Sequence, residues 1–541
     1  MNRRNPGQLF SASGMAWLLL LLVLVLNFTI RWRLREMPLE RDEGEYAYAG
    51  QLILQGIPPY QLAWNMKFPG VYFAYAGLMS VFGESPQGIH AGLIFVTSLS
   101  ILLVFLIGRE LMGTTGGLMA AALFTMLAAL PSAFGLAGHA THFVVFFVCL
   151  GTFALLVAER KRPLLWNFMS GVAFGAAILM KQHAFVFVLA ALGWQLWQTF
   201  QRKEKFIPRI GIFLAGATVP LLLTAAAMAW AGVWDRFTFW TIQYAREYVS
   251  IIPLRSVPRR FAAGFGPVFD SGIWVWVLGL AGLGLMFFRR QPGRVVMLGA
   301  GLFLAGLAAA CPGFYFRSHY FIMAMPGLAL LNAALLLAIA GWLKKFPQIR
   351  SLGFLPVCLF FVVAGDLLVR NAEIWFRLPP FEISRRLYDF SPFPESPGIA
   401  RYIAAHTKPD DTIAVLGSEP QIFFLAQRHS ASGYIYVYPL TEPQPLAPAM
   451  REEFIREIET ARPEYVVYVN TLSSWCSTVI PADTAQIIDH FQKWWYDYSK
   501  NYQLVGMVDS VADKPSEFFW DGQLANRTNS SPPAISIYRR N

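Results

Sequence analysis

About eleven apolar segments constrain the fold of this chain more than any other feature. A segment crosses a bilayer as a helix when roughly 20 apolar residues run together, or about 17 when packing is tight. The segments are Met15–Ile30, Ile89–Ile107, Gly116–Leu130, Phe143–Ala158, Leu164–Leu179, Ala184–Phe200, Ile210–Ala231, Gly272–Phe288, Val295–Ala310, Tyr320–Leu343 and Leu352–Val369. Only 14% of the 541 residues are charged, whereas soluble domains carry about a quarter. We therefore predict a polytopic α-helical membrane protein with about 11 transmembrane helices.

The basic residues predict the orientation of these helices, because cytoplasmic loops are enriched in Lys and Arg. With the N-terminus inside, the short cytoplasmic loops and the N-terminus hold 16 of the 44 basic residues and only three acidic ones. The basic residues are Arg3, Arg4, Arg109, Arg160, Lys161, Arg162, Arg202, Lys203, Lys205, Arg209, Arg289, Arg290, Arg294, Lys344, Lys345 and Arg350. The positive net charge of +11 therefore reflects membrane topology and gives no indication of nucleic acid. The first segment has no small-residue cleavage site after it, so we expect a retained anchor rather than a signal peptide.

Three hydrophilic stretches then lie on the outer face, and an odd number of spans places the C-terminus there too. They are the loop 31–87, the loop 233–270 and the region 390–541. The middle loop carries aromatic residues at helical spacing, which predicts a half-buried helix lying in the membrane interface. Its arginines, among them Arg259 and Arg260, either face solvent and lipid headgroups or meet an anionic substrate.

The C-terminal region has the composition of a soluble domain. Helices are predicted at Pro397–His406, Met450–Ala461 and Ala485–Lys500, and strands at Thr412–Leu416, Tyr465–Asn470, Gln503–Val508 and Ala534–Tyr538. Alternating helices and strands are typical of an α/β layer domain, and about 145 residues suffice for a core of its own. A glycine-rich phosphate fingerprint does not follow these strands, so we assign the domain no nucleotide.

The acidic pair Asp42-Glu43 follows the first apolar segment directly, within Arg41-Asp42-Glu43-Gly44-Glu45-Tyr46. Carboxylates at a membrane surface are easily solvated and prove little by themselves. In a chain with many spans, however, this is a position where one class of enzymes keeps its catalytic base.

Further polar residues lie at the ends of the apolar segments. Lys181 interrupts an apolar hairpin, where an ionisable group costs roughly 2.5–3.5 kcal/mol on insertion scales and is a functional candidate. Arg317 and His319 precede the tenth segment, and interfacial snorkelling is the alternative explanation for Arg317. His139 and His142 share one helical face and could hold a divalent metal, although such a pair is more often a hydrogen-bonded helix start.

The first outer loop resembles that of polyprenyl-phosphate-sugar glycosyltransferases. The resemblance rests on the motif around Asp42 and Glu43, on Gly56-Ile57-Pro58-Pro59-Tyr60 and on Lys67-Phe68-Pro69-Gly70. These enzymes form glycosyltransferase family 39 of the GT-C superfamily, which includes protein O-mannosyltransferases and the aminoarabinose transferase acting on lipid A. The likeness extends over roughly residues 15–340, including the Lys181 hairpin and Arg317.

This resemblance implies an inverting, single-displacement sugar transfer at the outer face of a bacterial inner membrane. Asp42 would take the proton of the acceptor, and Glu43 would support the loop or the acceptor. Lys181 and Arg317, with His319, would hold the phosphate of the lipid carrier. Lys67, Tyr46, His139, His142, Arg259 and Arg260 would serve the acceptor or accessory roles. A glycan, a lipid or a protein hydroxyl all remain possible acceptors.

Two other functions are compatible with many spans and intramembrane charges. A transporter or lipid flippase usually shows paired repeats with helices broken at the midplane, whereas here the charges concentrate on one side beside a large outer domain. A non-catalytic envelope assembly protein that kept the fold would differ only in lacking activity.

Overall fold

The computed structural model describes residues 12–202, 207–288, 293–475, 491–510 and 515–541. Some predictions concern residues outside these ranges, namely those for Arg3, Arg4, Lys203, Lys205, Arg289, Arg290 and the first part of the helix Ala485–Lys500. The remainder of that last helix is described, and residues 491–498 are helical.

The helices account for all eleven apolar segments. The longer helices are Ala12–Arg33, Arg41–Leu54, Gly70–Phe82, Pro86–Ala128, Ala140–Ala158, Pro163–Met180, Phe185–Arg202, Ile207–Trp230, Val257–Ser271, Ile273–Phe288, Arg294–Ala309, Met325–Leu343, Leu355–Phe376, Ser396–His406 and Ala447–Ala461. Shorter α-helices are Trp234–Thr238, Ala245–Ser250, Pro380–Tyr388, Gln421–Ala426, Tyr438–Thr441 and Leu472–Trp475. Among the described residues, seven helices are individually long and apolar enough to cross a membrane, and a pair bent by 100° near Gly272 makes eight.

The difference between eight and eleven has a simple origin. Two predicted segments merge into Pro86–Ala128, whose backbone leaves the helical conformation at Gly113 with φ 77° and ψ 179°. Glycine adopts this conformation without steric cost, so the break falls between the two segments as the sequence indicates. The helices Phe185–Arg202 and Arg294–Ala309 contain the other two segments but are not among the eight. The chain is thus a polytopic helical membrane protein.

Two compact units divide the chain. The helical unit comprises Met1–Leu34, His90–Leu223 and Arg255–Arg377, and the sheet unit comprises Arg35–Ile89, Thr224–Leu254 and Leu378–Asn541. Within the helical unit, Arg31 is 3% exposed and donates through Nη2 to the carbonyl of Ala128 at 2.8 Å. A cation stabilises the carbonyl end of a helix in this way.

A six-stranded mixed sheet forms the centre of the sheet unit. Its strands are β1 (Thr412–Leu416), β2 (His429–Ser430), β3 (Tyr465–Val469), β4 (Tyr502–Asp509), β5 (Glu517–Trp520) and β6 (Ile535–Arg540). The spatial order is β2-β1-β3-β6-β4-β5, with β1 parallel to β2 and β3 and the other pairs antiparallel. The four predicted strands are confirmed. The two that sequence reasoning missed are the short edge strands, which carry too few residues to show a period-2 pattern.

The aromatic residues of the middle loop belong to the core of the sheet unit. Trp240 is fully buried, and its ring centroid lies 6.2 Å from that of Trp64 and 5.7 Å from that of Tyr434. The predicted helical character is correct, since residues 234–250 are helical throughout. Protein aromatics from two other chain segments cover the side of this helix that carries Trp240, and its place in the membrane interface stays a prediction.

Candidate active site

The helix Arg41–Leu54, here called the Asp42 helix, begins with a capping box. The backbone N–H of Glu43 donates to Oε1 of Glu40 at 2.9 Å, and Oε2 of Glu43 accepts from the N–H of Glu40 at 3.4 Å. These two bonds satisfy backbone donors that a helix start leaves without partners. Glu43 is fully buried, so its carboxylate fixes the start of the helix while its neighbour Asp42 points elsewhere.

Asp42 lies in a three-residue ion cluster. The Nζ of Lys67 donates to Oδ1 of Asp42 at 2.9 Å and to Oε2 of Glu45 at 2.6 Å. The hydroxyl of Tyr72 donates to the other oxygen of Glu45 at 2.6 Å. Lys67 also lies 4.6 Å from the ring centroid of Tyr46, close enough for a cation–π contact.

Exposure separates the two carboxylates of this cluster. The side chain of Asp42 is 25% exposed, whereas that of Glu45 is 1% exposed. Burial is the main cause that raises the pKa of Glu45 above its usual range, although Lys67 acts in the opposite direction. Burial opposes the charge of Lys67 too, but Asp42 and Glu45 raise its pKa above that of an ordinary lysine. The arrangement therefore presents one reachable carboxylate, held in place by a protonated lysine that a second, buried carboxylate anchors.

Glu45, Tyr72 and Tyr436 are members of this site that the sequence reasoning did not assign. Glu45 is three residues from Asp42 on a helix, so the two side chains lie on one face, and that spacing was a usable signal. Tyr436 offered no such signal, because it is 394 residues from Asp42 in the chain, and Tyr72 is 27 residues from Glu45, beyond the reach of helical spacing.

Lys181 lies in the helical unit, where the helix Pro163–Met180 ends. Its backbone is extended, with φ −158° and ψ 126°, and its Nζ lies 4.1 Å from the ring centroid of Tyr320. Nδ1 of the adjacent His183 lies 3.0 Å from the carbonyl oxygen of Ala309. Burial, and then the charge of Lys181, lower the pKa of His183 to about 3. The imidazole is therefore neutral at physiological pH.

Arg317 and His319 belong to the same short segment as Tyr320, the residue that Lys181 contacts. Arg317 precedes the 3₁₀ helix Ser318–Ala324, and its guanidinium carbon lies 5.7 Å from the ring centroid of Tyr315. The backbone N–H of Tyr320 donates to the carbonyl of Arg317 at 2.8 Å. The helical unit thus brings the predicted phosphate-binding residues to one region.

The two histidines of the predicted pair have different partners. The ring of His139 stacks on that of His319, with centroids 4.0 Å apart and an interplanar angle of 6°. Nε2 of His142 lies 3.1 Å from the carbonyl oxygen of Gly135. One ring nitrogen of His142 is therefore committed to the backbone, which is the hydrogen-bonded helix start that the spacing also allowed.

The other predicted residues divide between the two units. Arg259 is exposed and Arg260 is half-buried, both in the first turn of the helix Val257–Ser271 in the helical unit. Asp42 and Lys67 belong to the sheet unit. The predicted convergence of Asp42 with the phosphate-binding residues in one pocket involves residues of both units. It stays a prediction.

The chain shares its fold with solved structures of ArnT and of an archaeal oligosaccharyltransferase. ArnT from Cupriavidus metallidurans in the apo state matches 91% of this chain and 96% of its own, with a TM-score of 0.56 and 15% identity. The oligosaccharyltransferase of Archaeoglobus fulgidus matches 95% of this chain and 75% of its own, with a TM-score of 0.56 and 12% identity. Crystals of this ArnT have been obtained with undecaprenyl phosphate bound.

Sequence comparisons agree with the fold. Residues 66–230 match a family described as dolichyl-phosphate-mannose-protein mannosyltransferase. The undecaprenyl phosphate-alpha-4-amino-4-deoxy-L-arabinose arabinosyl transferase of Pseudomonas aeruginosa (strain UCBPP-PA14) is 29% identical over 210 residues, which cover 37% of this chain and 38% of that protein. The chain thus matches well under half the length of this relative. The resemblance predicted from the sequence is confirmed, and the chain is similar to GT-C glycosyltransferases of the protein-mannosyltransferase and ArnT type.

Proposed function

We propose that this protein transfers a sugar from a polyprenyl-phosphate donor to a hydroxyl acceptor at the outer face of the bacterial inner membrane. The ion cluster of Asp42, Lys67 and Glu45 is the observation that carries the proposal, because it presents an oriented carboxylate outside the apolar helices. The matches to lipid-linked-sugar transferases support the donor class.

Asp42 acts as general base in this reaction. Its carboxylate removes the proton from the acceptor hydroxyl while the hydroxyl oxygen forms a bond to the anomeric carbon of the sugar. The bond between that carbon and the phosphate oxygen breaks, and the electron pair leaves with the polyprenyl phosphate. A single displacement inverts the anomeric configuration, and the reaction ends with a protonated Asp42 that returns its proton to water.

Lys67 and Glu45 keep the carboxylate of Asp42 ionised and in position. The contact of 2.9 Å with the ammonium group of Lys67 favours the ionised form of Asp42, since a nearby opposite charge stabilises a charged group. Glu45 binds the same ammonium group, so Lys67 keeps its position when the carboxylate of Asp42 receives the proton.

Lys181 and Arg317 bind the phosphate of the donor, and His319 lines the same region. Charge develops on the phosphate oxygen as the sugar departs, and positioned cations in a partly dry site stabilise such charge strongly. The contact of Lys181 with Tyr320 and of Arg317 with Tyr315 holds both cations beside aromatic rings. Tyr46, His139, His142, Arg259 and Arg260 are assigned to the acceptor or to accessory contacts.

The orientation follows from the distribution of basic residues. The N-terminus lies in the cytoplasm and the region after residue 390 lies outside as a soluble α/β domain, which places Asp42 on the outer face. The activated donor is already a membrane lipid, so the reaction needs no nucleotide site.

The test compares Asp42→Asn with wild type in the purified full chain. Mass spectrometry of envelope lipids and glycans from cells with and without the gene first identifies the product. The variant is expected to lose transfer by about 10²- to 10⁴-fold, which is the usual contribution of a general base, while binding of undecaprenyl phosphate stays unchanged.

Asp411→Asn is the matched control, since Oδ2 of Asp411 accepts a backbone bond from Lys408 at 2.7 Å and an amide can do the same. This control is expected to transfer sugar at the wild-type rate. Wild-type turnover in Asp42→Asn would remove Asp42 from the mechanism.

A further inference from the structure

The Asp42 helix is attached to the C-terminal part of the sheet unit through Arg41, the residue next to the proposed base. The guanidinium group of Arg41 donates to Oε1 of Glu419 at 2.8 Å, and also to the carbonyl of Ser418 and the hydroxyl of Tyr438. The side chain of Arg41 is 13% exposed and that of Glu419 is fully buried. Three acceptors around one planar guanidinium group fix its position and its direction.

Glu419 is itself rigidly held. It follows β1 closely, and its second oxygen accepts a bond from the hydroxyl of Ser474. The backbone N–H of Ser418 donates to the same hydroxyl at 2.8 Å. The carboxylate that receives Arg41 is therefore bonded on both oxygens and extends from the end of a central strand.

Tyr436 makes a second connection, directly at the base. Its hydroxyl donates to the carbonyl of Arg41 at 2.9 Å and lies 3.4 Å from Oδ1 of Asp42. Burial and the surrounding carboxylates raise the pKa of Tyr436 well above its usual value. The hydroxyl thus remains a neutral donor over the whole physiological range.

The backbones also approach closely behind Asp42. A Cβ atom on Gly44 would lie 2.6 Å from the backbone nitrogen of Gln421, which is a steric clash. Glycine has no Cβ atom and therefore allows this close approach. The first turn of the Asp42 helix therefore rests against the chain that follows Glu419.

The geometry points to a positioning role for the C-terminal α/β region: Glu419, through Arg41, and Tyr436 hold the turn that carries Asp42 at the place where the acceptor loses its proton. This assignment rests on the proposed function and gives the C-terminal region a part in the chemistry. It does not require that region to bind the acceptor. Misplacing a reacting group by about 1 Å can cost about 10²-fold in rate. A first turn that is held less firmly should therefore lower kcat.

The experiment uses two variants and two matched controls in the full chain. Glu419→Gln keeps the shape of the side chain but removes its charge, and Tyr436→Phe removes one hydroxyl. Asp509→Asn is the control for the first, because Asp509 forms a buried ion pair with Arg527 elsewhere in the sheet unit. Tyr434→Phe is the control for the second, because Tyr434 donates to Glu453 at 2.5 Å in the same chain segment.

Two measurements are made on all four proteins. Hydrogen–deuterium exchange with mass spectrometry follows the peptides that span residues 35–54, and steady-state assays give kcat and the KM for the donor. Both test variants are expected to raise exchange in residues 41–46 about tenfold. They are also expected to lower kcat about 10- to 100-fold with an unchanged donor KM. Both controls are expected to match wild type in these readouts, even if Asp509→Asn lowers the unfolding temperature.

Three results would overturn the assignment. One is unchanged exchange in residues 41–46 of both test variants. Another is a raised exchange without a fall in kcat, and the third is an equal fall in kcat in Asp509→Asn, which would indicate general loss of stability. If wild type itself transfers no sugar, the proposed function fails, and the exchange measurement alone then decides whether Glu419 and Tyr436 hold the Asp42 helix.

Discussion

Replacing Lys67 with Met tests the electrostatics of the candidate site most directly. The substitution keeps an unbranched side chain of similar length and removes the ammonium group that contacts both Asp42 and Glu45. In the variant, Asp42 and Glu45 lie close together without the ammonium group that both contact in wild type. Removing one partner of a buried ion pair costs about 3–5 kcal/mol.

The magnitude can be bounded, because the variant can bind a proton in place of the lysine. Glu45 is the carboxylate that would take it, since its side chain is only 1% exposed. Starting from the ordinary value of 4.5, protonation at pH 7 costs about 3.4 kcal/mol, at 1.36 kcal/mol per pH unit. The same calculation at pH 5.5 gives about 1.4 kcal/mol.

The sign of the pH dependence follows from the direction of this shift. A carboxylate whose pKa is raised in the folded state contributes stability below its unfolded pKa of 4.5 and loses it as the pH rises through the folded pKa. Lys67 is the interaction that lowers this pKa in wild type, so the pKa of Glu45 should rise further in Lys67→Met. The destabilisation relative to wild type should therefore grow with pH, by at most about 2 kcal/mol between pH 5.5 and pH 7.

Thermal unfolding of the detergent-solubilised full chain measures this effect. For a unit of this size, the midpoint should fall relative to wild type by at most about 7–13 °C at pH 7 and by at most about 3–5 °C at pH 5.5. Lys500→Met is the control, because Lys500 pairs with Asp497 on the surface and surface pairs contribute little. A loss of the same size at both pH values, or a loss no greater than that of the control, would refute the reasoning.

Three further outcomes are expected. Lys181→Ala should weaken binding of undecaprenyl phosphate at least tenfold, measured with the purified protein, whereas Lys181→Arg should retain most of it; equal affinities in all three proteins would place Lys181 outside the donor site. Gly44→Ala should lower both the unfolding midpoint and kcat, because its methyl group would meet the backbone of Gln421 at 2.6 Å, and normal values for both would show that the turn can move aside. Tyr72→Phe removes a bond of 2.6 Å to the buried Glu45 and should destabilise the chain by about 1–3 kcal/mol, a value that chemical denaturation can check.

Local patterns in the sequence were sufficient for most of the fold. Each apolar segment correctly predicted a helix, since a single segment in lipid can form all its backbone hydrogen bonds only as a helix. The strands β1 and β3 were predictable for a similar reason, because β3 is buried throughout and β1 is buried except at its first residue. The edge strand β2 has two residues, and only pairing with β1 makes it a strand.

The candidate site was predictable only in part. Asp42 was found from its position after the first apolar segment, and the spacing of Asp42 and Glu45 on one helical face was visible as well. The choice of Lys67 as their common partner was not, because that lysine is 25 residues from Asp42 and lies in an irregular loop.

The sequence by itself determined that the chain crosses a membrane repeatedly. It also determined the positions of the carboxylates and cations along the chain. Only the tertiary structure decided which of them meet. It paired Arg41 with Glu419 across 378 residues and brought Trp240 from the middle loop into the core of the sheet unit. The physical reason is that an apolar run acts through its own residues, whereas a buried charge or a large ring is stable only beside partners that the folded chain supplies.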